Sequence, residues 1–317
     1  MIKVNGCPLD IISFPDKTKK LNMPFNLLTY DGSGHYSCMI DWRYESDEEF
    51  LQIAFIKKHI DNFGEQVETT LYMPYIPNAR MDRTHEDEEC FTLKHFASLI
   101  NDLKFSHVEV FDPHSTVSEA LFNNIVIDRP KEVILDAIMD MKDTLKCKEE
   151  DIVIFFPDEG SQKRYLDDEL KKYPAFFGNK IRDWNSGHIM GLSVETHTDK
   201  SLDYLKGKTV IIIDDIISAG GTIYYSIKEL EKYGVENICA YASHLESTMF
   251  DKTRPEMGEY NPLLEMLIKN TIFKKLYTTD SFFVFDSKKR ELVNSVGDNE
   301  KIVVFNLLDE DEDEAIF

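Results

Sequence analysis

The sequence predicts an α/β protein of two halves, each a mostly parallel sheet flanked by helices. Three observations carry this. Short apolar runs without alternation recur, as in Asp151-Ile-Val-Ile-Phe-Phe156 and Val210-Ile-Ile-Ile213, and such runs suit strands buried on both faces. Stretches with apolar residues at helical spacing lie between them. Polar turns bearing Gly, Pro or Asp follow the runs directly, where the loops of βαβ units belong.

Taken in order, Thr70-Leu-Tyr-Met-Pro74 reads as a strand entering a proline-punctuated loop. Phe91 to Leu103 reads as a helix, with Leu93, Phe96, Ala97, Ile100 and Leu103 on one face. His107 to Phe111 is the next strand, followed by Asp112-Pro-His114. In the second half, Asp151 to Phe156 ends at Pro157-Asp-Glu-Gly160, and 160–172 reads as a helix. Val210 to Ile213 is a buried strand with Asp214 and Asp215 at its carboxyl end. A turn, Ser218-Ala-Gly-Gly-Thr222, leads to a helix carrying Ile223, Ile227 and Leu230 and ending near Gly234. Asn237 to Ala242 is a further strand. The polar stretch 141–150 marks the expected boundary, giving domains 1–145 and 146–308 and a solvated acidic tail, 309–317. The stretch 251–262, polar and holding two prolines, reads as a loop or lid.

Composition narrows the function. A chain of 317 residues with 42% hydrophobic content accommodates two cores. A net charge of -22 opposes nucleic acid as a partner, because a polyanion needs a basic face. Small phosphorylated ligands stay open to it, since a few cations and main-chain amides suffice. The 5 cysteines are scattered and form no C-x-x-C pair, which favours a reducing compartment without structural zinc. The N-terminal residues do not read as a signal peptide and no apolar run reaches membrane-spanning length. The expectation is a soluble cytoplasmic protein with no membrane partner.

The strongest functional signal is Val210 to Thr222. A loop of small residues at a helix N-terminus exposes unpaired N–H groups and the positive end of the helix dipole, which suits a phosphate. Adjacent carboxylates suit ribose hydroxyls or hydrated Mg²⁺. This segment resembles the phosphoribosyl-diphosphate-binding motif of type I phosphoribosyltransferases and ribose-phosphate diphosphokinases. Further segments resemble the latter family in the same order. Asn78-Ala-Arg-Met-Asp-Arg83 resembles Y-A-R-Q-D-R, with Met81 in place of glutamine. Asp112-Pro-His114 resembles D-L-H. Pro157-Asp-Glu-Gly160, followed by Lys163-Arg164, resembles P-D-x-G-G-x-x-R, with Ser161 at the second glycine. Lys180-Ile-Arg182 resembles the K-x-R of a mobile catalytic loop, Ala242-Ser-His244 resembles A-T-H, and Thr278-Thr-Asp280 closes the series.

The resemblance implies two phosphoribosyltransferase-like domains. It implies transfer of the β,γ-diphosphate of ATP to the anomeric hydroxyl of ribose 5-phosphate, with Mg²⁺ and release of AMP. Catalytic roles fall on Lys180, Arg182, His114 and Asp215. ATP falls to Phe14, Arg80, Arg83 and His114, and Mg²⁺ to Asp112. The acceptor falls to Asp158, Asp214, Asp215, Ser218, Ala219, Gly220, Gly221 and Thr222. Phe14-Pro-Asp-Lys-Thr18 stands where the family has F-S-D-G-E, without its acidic end, and an oligomer is implied. Ala219 replaces the usual threonine, which keeps ADP-ribose in view as an alternative acceptor. A nucleobase phosphoribosyltransferase, which needs a single domain with a hood, and a non-catalytic homologue are the remaining readings. The chain's length opposes the first and the retained cations and carboxylates oppose the second.

Overall fold

The protein is described here by a computed structural model. It describes residues 1–24, 27–32, 34–64, 67–84, 86–182, 189–196, 200–250, 261–269, 271–282 and 301–308, with backbone alone at 180–182 and 189–191. The chain divides into two compact units, Met1–Arg129 with Ser281–Phe283, and Pro130–Asp280 with Val284–Phe317.

The first unit runs β1 (Ile2–Val4), β2 (Cys7–Pro8), β3 (Asp10–Ser13), β4 (Lys19–Asn22), β5 (Thr29–Tyr30), β6 (Tyr36–Trp42), α1 (Glu48–Asp61), β7 (Val67–Tyr72), α2 (Thr92–Asp102), β8 (His107–Phe111), α3 (Val117–Leu121) and β9 (Ile125–Asp128). Its main sheet has the order β2-β1-β6-β7-β8-β9, with β5 also on β6. Pairings from β6 to β9 are parallel, and β1, β2 and β5 are antiparallel additions. Strands β3 and β4 form a separate hairpin. Helix α2 buries Leu93, Phe96, Ala97 and Ile100, the face its spacing predicted.

The second unit runs α4 (Lys131–Leu145), β10 (Ile152–Phe156), α5 (Glu159–Tyr165), β11 (Ala175–Arg182), β12 (Ile189–Thr196), β13 (Thr209–Ile217), α6 (Gly221–Glu231), β14 (Asn237–Leu245), α7 (Pro262–Ile268), β15 (Phe273–Thr279) and β16 (Ile302–Phe305). The sheet order is β12-β11-β10-β13-β14-β15-β16. Among the described residues only the β11–β12 pair is antiparallel. Every residue of β10 is buried, as a strand covered by helices on both faces requires.

Three expectations need correction. The boundary falls at Arg129/Pro130 rather than at 145/146. Helix α4 packs Ile134, Ala137, Ile138 and Met141 against Ile152, Ile154, Ile211 and Ile213 of the second sheet, so burial assigns it there. The expected helix over 160–172 stops at Tyr165. The Asp167 carboxylate accepts from the N–H groups of Glu169 and Leu170, offering the main chain a turn instead of a helix. Strand β13 extends through the acidic pair to Ile217, because β14 continues alongside it to Leu245. The carboxylates therefore sit inside the strand, ahead of the turn. The expected loop or lid lies outside the described residues over 251–260, its last residue Pro262 opening α7, and the acidic tail lies outside them too.

No helix among the described residues is long and apolar enough to cross a membrane. All the cysteines are free. Cys239 is buried in β14, and burial pushes its thiol up to about 12.

A polar clamp ties α4 to β15. Lys275 Nζ donates to Asp140 Oδ2 (2.8 Å) and Thr144 Oγ1 (3.0 Å), and Tyr277 Oη donates to Asp140 Oδ2 (2.7 Å). Burial alone would raise the Asp140 carboxyl. The Lys275 and Tyr277 hydrogen bonds and the Lys275 charge outweigh it and hold the group below the usual carboxylate range. A depressed folded-state value contributes stability above the unfolded value, near 4, and loses it as pH falls through the folded one. Asp140 is half-exposed, so the ion pair is worth about 0.2–1 kcal/mol. Asp140→Asn should lower the melting temperature at pH 7, and the gap to the parent should shrink as thermal melts are repeated below about pH 4.

Candidate functional site

The chemistry of the second unit gathers at the carboxyl ends of its parallel strands. Strands β10 and β13 are parallel neighbours, Ile152 beside Thr209 through Phe155 beside Ile212. Their following loops are therefore adjacent. After β10, Asp158 starts α5 as its N-cap: Ser161 N donates to Asp158 Oδ1 (2.9 Å), and the Ser161 hydroxyl returns to the Asp158 main chain. This capping box satisfies donors that a helix start leaves orphaned. The carboxylate expected to meet ribose hydroxyls is thus also a structural cap. On the same short helix, Arg164 reaches across, its Nη1 3.1 Å from Asp215 Oδ2. Asp214 and Asp215 are both buried, and Asp215 N donates to Asp214 Oδ1 (3.1 Å). A buried carboxylate needs such partners to stay charged.

The turn Ser218 to Thr222 follows. Gly220 adopts φ 77°, ψ 10° as the N-cap residue of α6, and no side chain caps that helix. The amides of the first turn have no intrahelical acceptor in any α-helix, so here they are donors available to an anion, with the dipole behind them. The carbonyls of the turn are engaged. Ala219 O accepts from Asn261 Nδ2 (2.7 Å), and Gly220 O from Tyr224 N (2.9 Å). Ser218 Oγ lies 3.2 Å from Thr248 Oγ1. Asn261 also caps α7, its Oδ1 accepting from Leu263 N (3.0 Å). Helix α7 therefore braces the turn from behind. The structure brings Asp158, Asp214, Asp215 and residues 218–222 to one end of one sheet.

Lys180 and Arg182 need a correction. They stand within β11, paired with Leu192 and Ile189 of β12 across an irregularity at Ile181/Arg182, and not in a loop after a helix. Antiparallel hydrogen bonding holds their backbone as a strand. Their side chains, and the catalytic role expected of them, lie outside the described residues. His244 is buried in β14. At the end of β15, Thr279 Oγ1 donates to Ser243 O (2.7 Å), and Leu307 N donates to Asp280 Oδ1 (3.0 Å).

The first unit shows the same arrangement on β7 and β8. The segment after β7 turns back at Asn78 (φ 64°), with Met81 N donating to Asn78 O (2.8 Å). Arg80 and Arg83 are exposed, and Asp82 between them is buried. Arg83 Nε donates to Asp82 Oδ1 (3.0 Å). Burial would raise the Asp82 carboxyl, but the Arg83 hydrogen bond and charge hold it below the usual carboxylate value. His114 is half-buried in the segment after β8. Asp112 is 1% exposed with φ 42°, and its N–H donates to Asp128 O (2.9 Å). That burial does not suit a hydrated Mg²⁺, which keeps several of its waters. Among the described residues no three His, Cys, Asp or Glu side chains gather as a metal cage. Phe14 is 47% exposed at the turn of the β3–β4 hairpin, where its N–H donates to Thr18 O (2.9 Å).

Sequence reasoning assigned no role to Arg164, Asp82 or Asn261. The first two carried a signal, since each lies in a quoted motif, Arg164 with Asp158 and Asp82 next to Arg83. Asn261 carried none, because its contact to Ala219 spans 42 positions.

Comparison with known proteins fits this geometry. A phosphoribosyl transferase domain family matches residues 168–266. The ribose-phosphate pyrophosphokinase of Saccharolobus solfataricus is 27% identical over 205 residues, covering 64% of this chain and 65% of that protein. The ribose-phosphate pyrophosphokinase of Bacillus subtilis is 30% identical over 224 residues, covering 70% and 62%. The chain thus spans somewhat under two thirds of the length of these relatives. The crystal structure of phosphoribosylpyrophosphate synthetase from Mycobacterium smegmatis superposes with a TM-score of 0.67 at 18% identity, over 94% of this chain and 86% of that one. The fold is that of two phosphoribosyltransferase-like domains.

Gly220 carries the test of the turn. A Cβ there would lie 2.5 Å from Leu263 Cδ2 and 3.2 Å from its Cβ, in a left-handed backbone. Gly220→Ala should destabilise the protein by about 1–3 kcal/mol, the left-handed penalty plus the displaced contact. Chemical denaturation measures it, and a cost near zero would show that the turn relaxes freely.

Proposed function

We propose that this chain, a relative of the ribose-phosphate pyrophosphokinases, moves the β,γ-diphosphate of ATP to the anomeric hydroxyl of ribose 5-phosphate, giving phosphoribosyl diphosphate and AMP. The observation that carries this is the glycine turn before α6. Its uncapped first-turn amides stand directly after a strand bearing Asp214 and Asp215. Amides and helix dipole receive the acceptor's phosphate. The carboxylates receive the furanose hydroxyls, and Arg164 fixes Asp215 in place. Phosphoryl-type transfer asks a protein chiefly for positioning and charge neutralisation, so no covalent nucleophile is invoked. Arg80, Arg83 and His114 are assigned to the ATP phosphates, because an arginine fork engages two oxygens at once. Phe14, an exposed ring, is assigned to adenine, and Lys180 and Arg182 to the transferring diphosphate. Mg²⁺ enters as part of Mg–ATP. An oligomer and a reducing, cytoplasmic setting complete the proposal, the latter supported by the free cysteines.

Ala219 favours testing a second acceptor. Its methyl group replaces a hydroxyl donor that a phosphate dianion would use, and one neutral hydrogen bond is worth about 0.5–1.5 kcal/mol. The proximal phosphate of ADP-ribose, joined to its sugar by an ester bond and to the second phosphate by an anhydride bond, carries a single negative charge and needs fewer donors.

Incubation with Mg–ATP and either acceptor, with AMP as the readout, decides the reading. AMP formation dependent on ribose 5-phosphate is expected. AMP only with ADP-ribose transfers the chemistry to that acceptor, and AMP with neither rejects it. Asp215→Asn should cost about 10²-fold or more in kcat/KM while the fold persists. Arg80→Ala should raise KM for ATP about 10-fold or more and leave the acceptor's nearly unchanged. The opposite pattern would exchange the two subsites.

A further inference from the structure

Asp158 is asked to cap α5 and, on the reading above, to receive sugar hydroxyls. Ser161 connects the two roles. Its N–H holds Asp158 Oδ1 at 2.9 Å, and its hydroxyl lies 3.1 Å from the same oxygen, 3.0 Å from Asp158 O and 3.3 Å from Asp158 N. Ser161 is buried, so water does not compete for these bonds. Glycine at 160 leaves room for this arrangement, since a Cβ there would meet Asp158 Oδ1 at 3.2 Å. Glycine at 161 would keep the main-chain cap and lose every hydroxyl contact. The same helix carries Arg164 to Asp215, so the serine stands on the element that joins the two carboxylate loops.

We propose that Ser161 is a positioning residue for acceptor binding: it locks the Asp158 carboxylate in one orientation before a ribosyl phosphate arrives, so the vicinal hydroxyls meet a preformed acceptor group. This rests on the assignment of Asp158 to the acceptor. Preorganisation of this kind shows in affinity for the sugar, not in affinity for ATP.

The test uses the full chain as wild type, Ser161→Ala, Asp158→Ala and the double variant, with AMP release measured against ribose 5-phosphate and against ATP. Ser161→Ala should raise KM for ribose 5-phosphate about 3- to 10-fold, as loss of one hydrogen bond implies. KM for ATP and kcat should stay within about 2-fold, and the effect should vanish in the Asp158→Ala background. Unchanged acceptor KM in a folded Ser161→Ala variant overturns the proposal, and so does a penalty that persists without Asp158 or falls equally on ATP. A lower melting temperature with unaltered kinetics reduces Ser161 to a helix cap and overturns it as well. If Ser161→Ala does not fold, Ser161→Cys, similar in shape with a weak donor, takes its place under the same criteria. A wild type that acts on neither ribose 5-phosphate nor ADP-ribose rejects the functional reading and this proposal together. An active wild type with an indifferent Ser161→Ala rejects this proposal alone.

Discussion

Parallel pairing of β10 with β13 sets two strand ends side by side, and the chemistry of the second unit depends on that adjacency. It places the start of α5 beside the acidic pair, which lets Arg164 reach Asp215 at 3.1 Å. Strand β14 on the other flank carries β13 onward through both carboxylates. These side chains are therefore held by a sheet and not by a loop. The turn begins only at Ser218, and Asn261 and Leu263 hold it from behind. Rigid scaffold, short turn and brace follow from one register.

Each unit keeps a buried carboxylate beside an arginine, with different consequences. In the first, the Arg83 side chain is 69% exposed over Asp82. An exposed partner of this kind contributes little and is easily released. In the second, the Arg164 side chain is 20% exposed against Asp215. Removing a sheltered partner leaves the remaining charge poorly solvated, so Arg164 behaves as part of the framework. This chain carries a net charge of -22, and against that background an anionic ligand would have to be met by a few local cations and main-chain amides.

Part of each sheet was legible because strands such as Ile152 to Phe156 are short unbroken apolar runs, and α2 and α6 because they repeat apolar residues at helical spacing, whereas β6, β11, β15, β16 and helices α1 and α4 went unassigned. The glycine turn was legible for a local reason: strand, acidic pair, small residues and helix follow one another within about twenty positions. The antiparallel strands β1, β2 and β5 were missed, being two or three residues long with no periodicity to read. The domain boundary was misplaced because polarity at 141–150 resembles a linker, whereas the inner face of α4 decides which core owns it. The Lys180 segment looked like a loop because two cations flanking one isoleucine carry no strand signal; pairing with β12 supplies it. Asn261 was invisible for the reason all distant braces are, since nothing local marks a side chain that bonds 42 positions away.

The left-handed residue at the tip of the glycine turn sets that position apart from its neighbours. At position 220 a Cβ would press on Leu263 in a left-handed backbone, so a side chain there carries a cost. Positions 218, 219 and 222 keep ordinary side chains on the same path. Exchanging a hydroxyl for a methyl at those positions would leave the main-chain path unchanged.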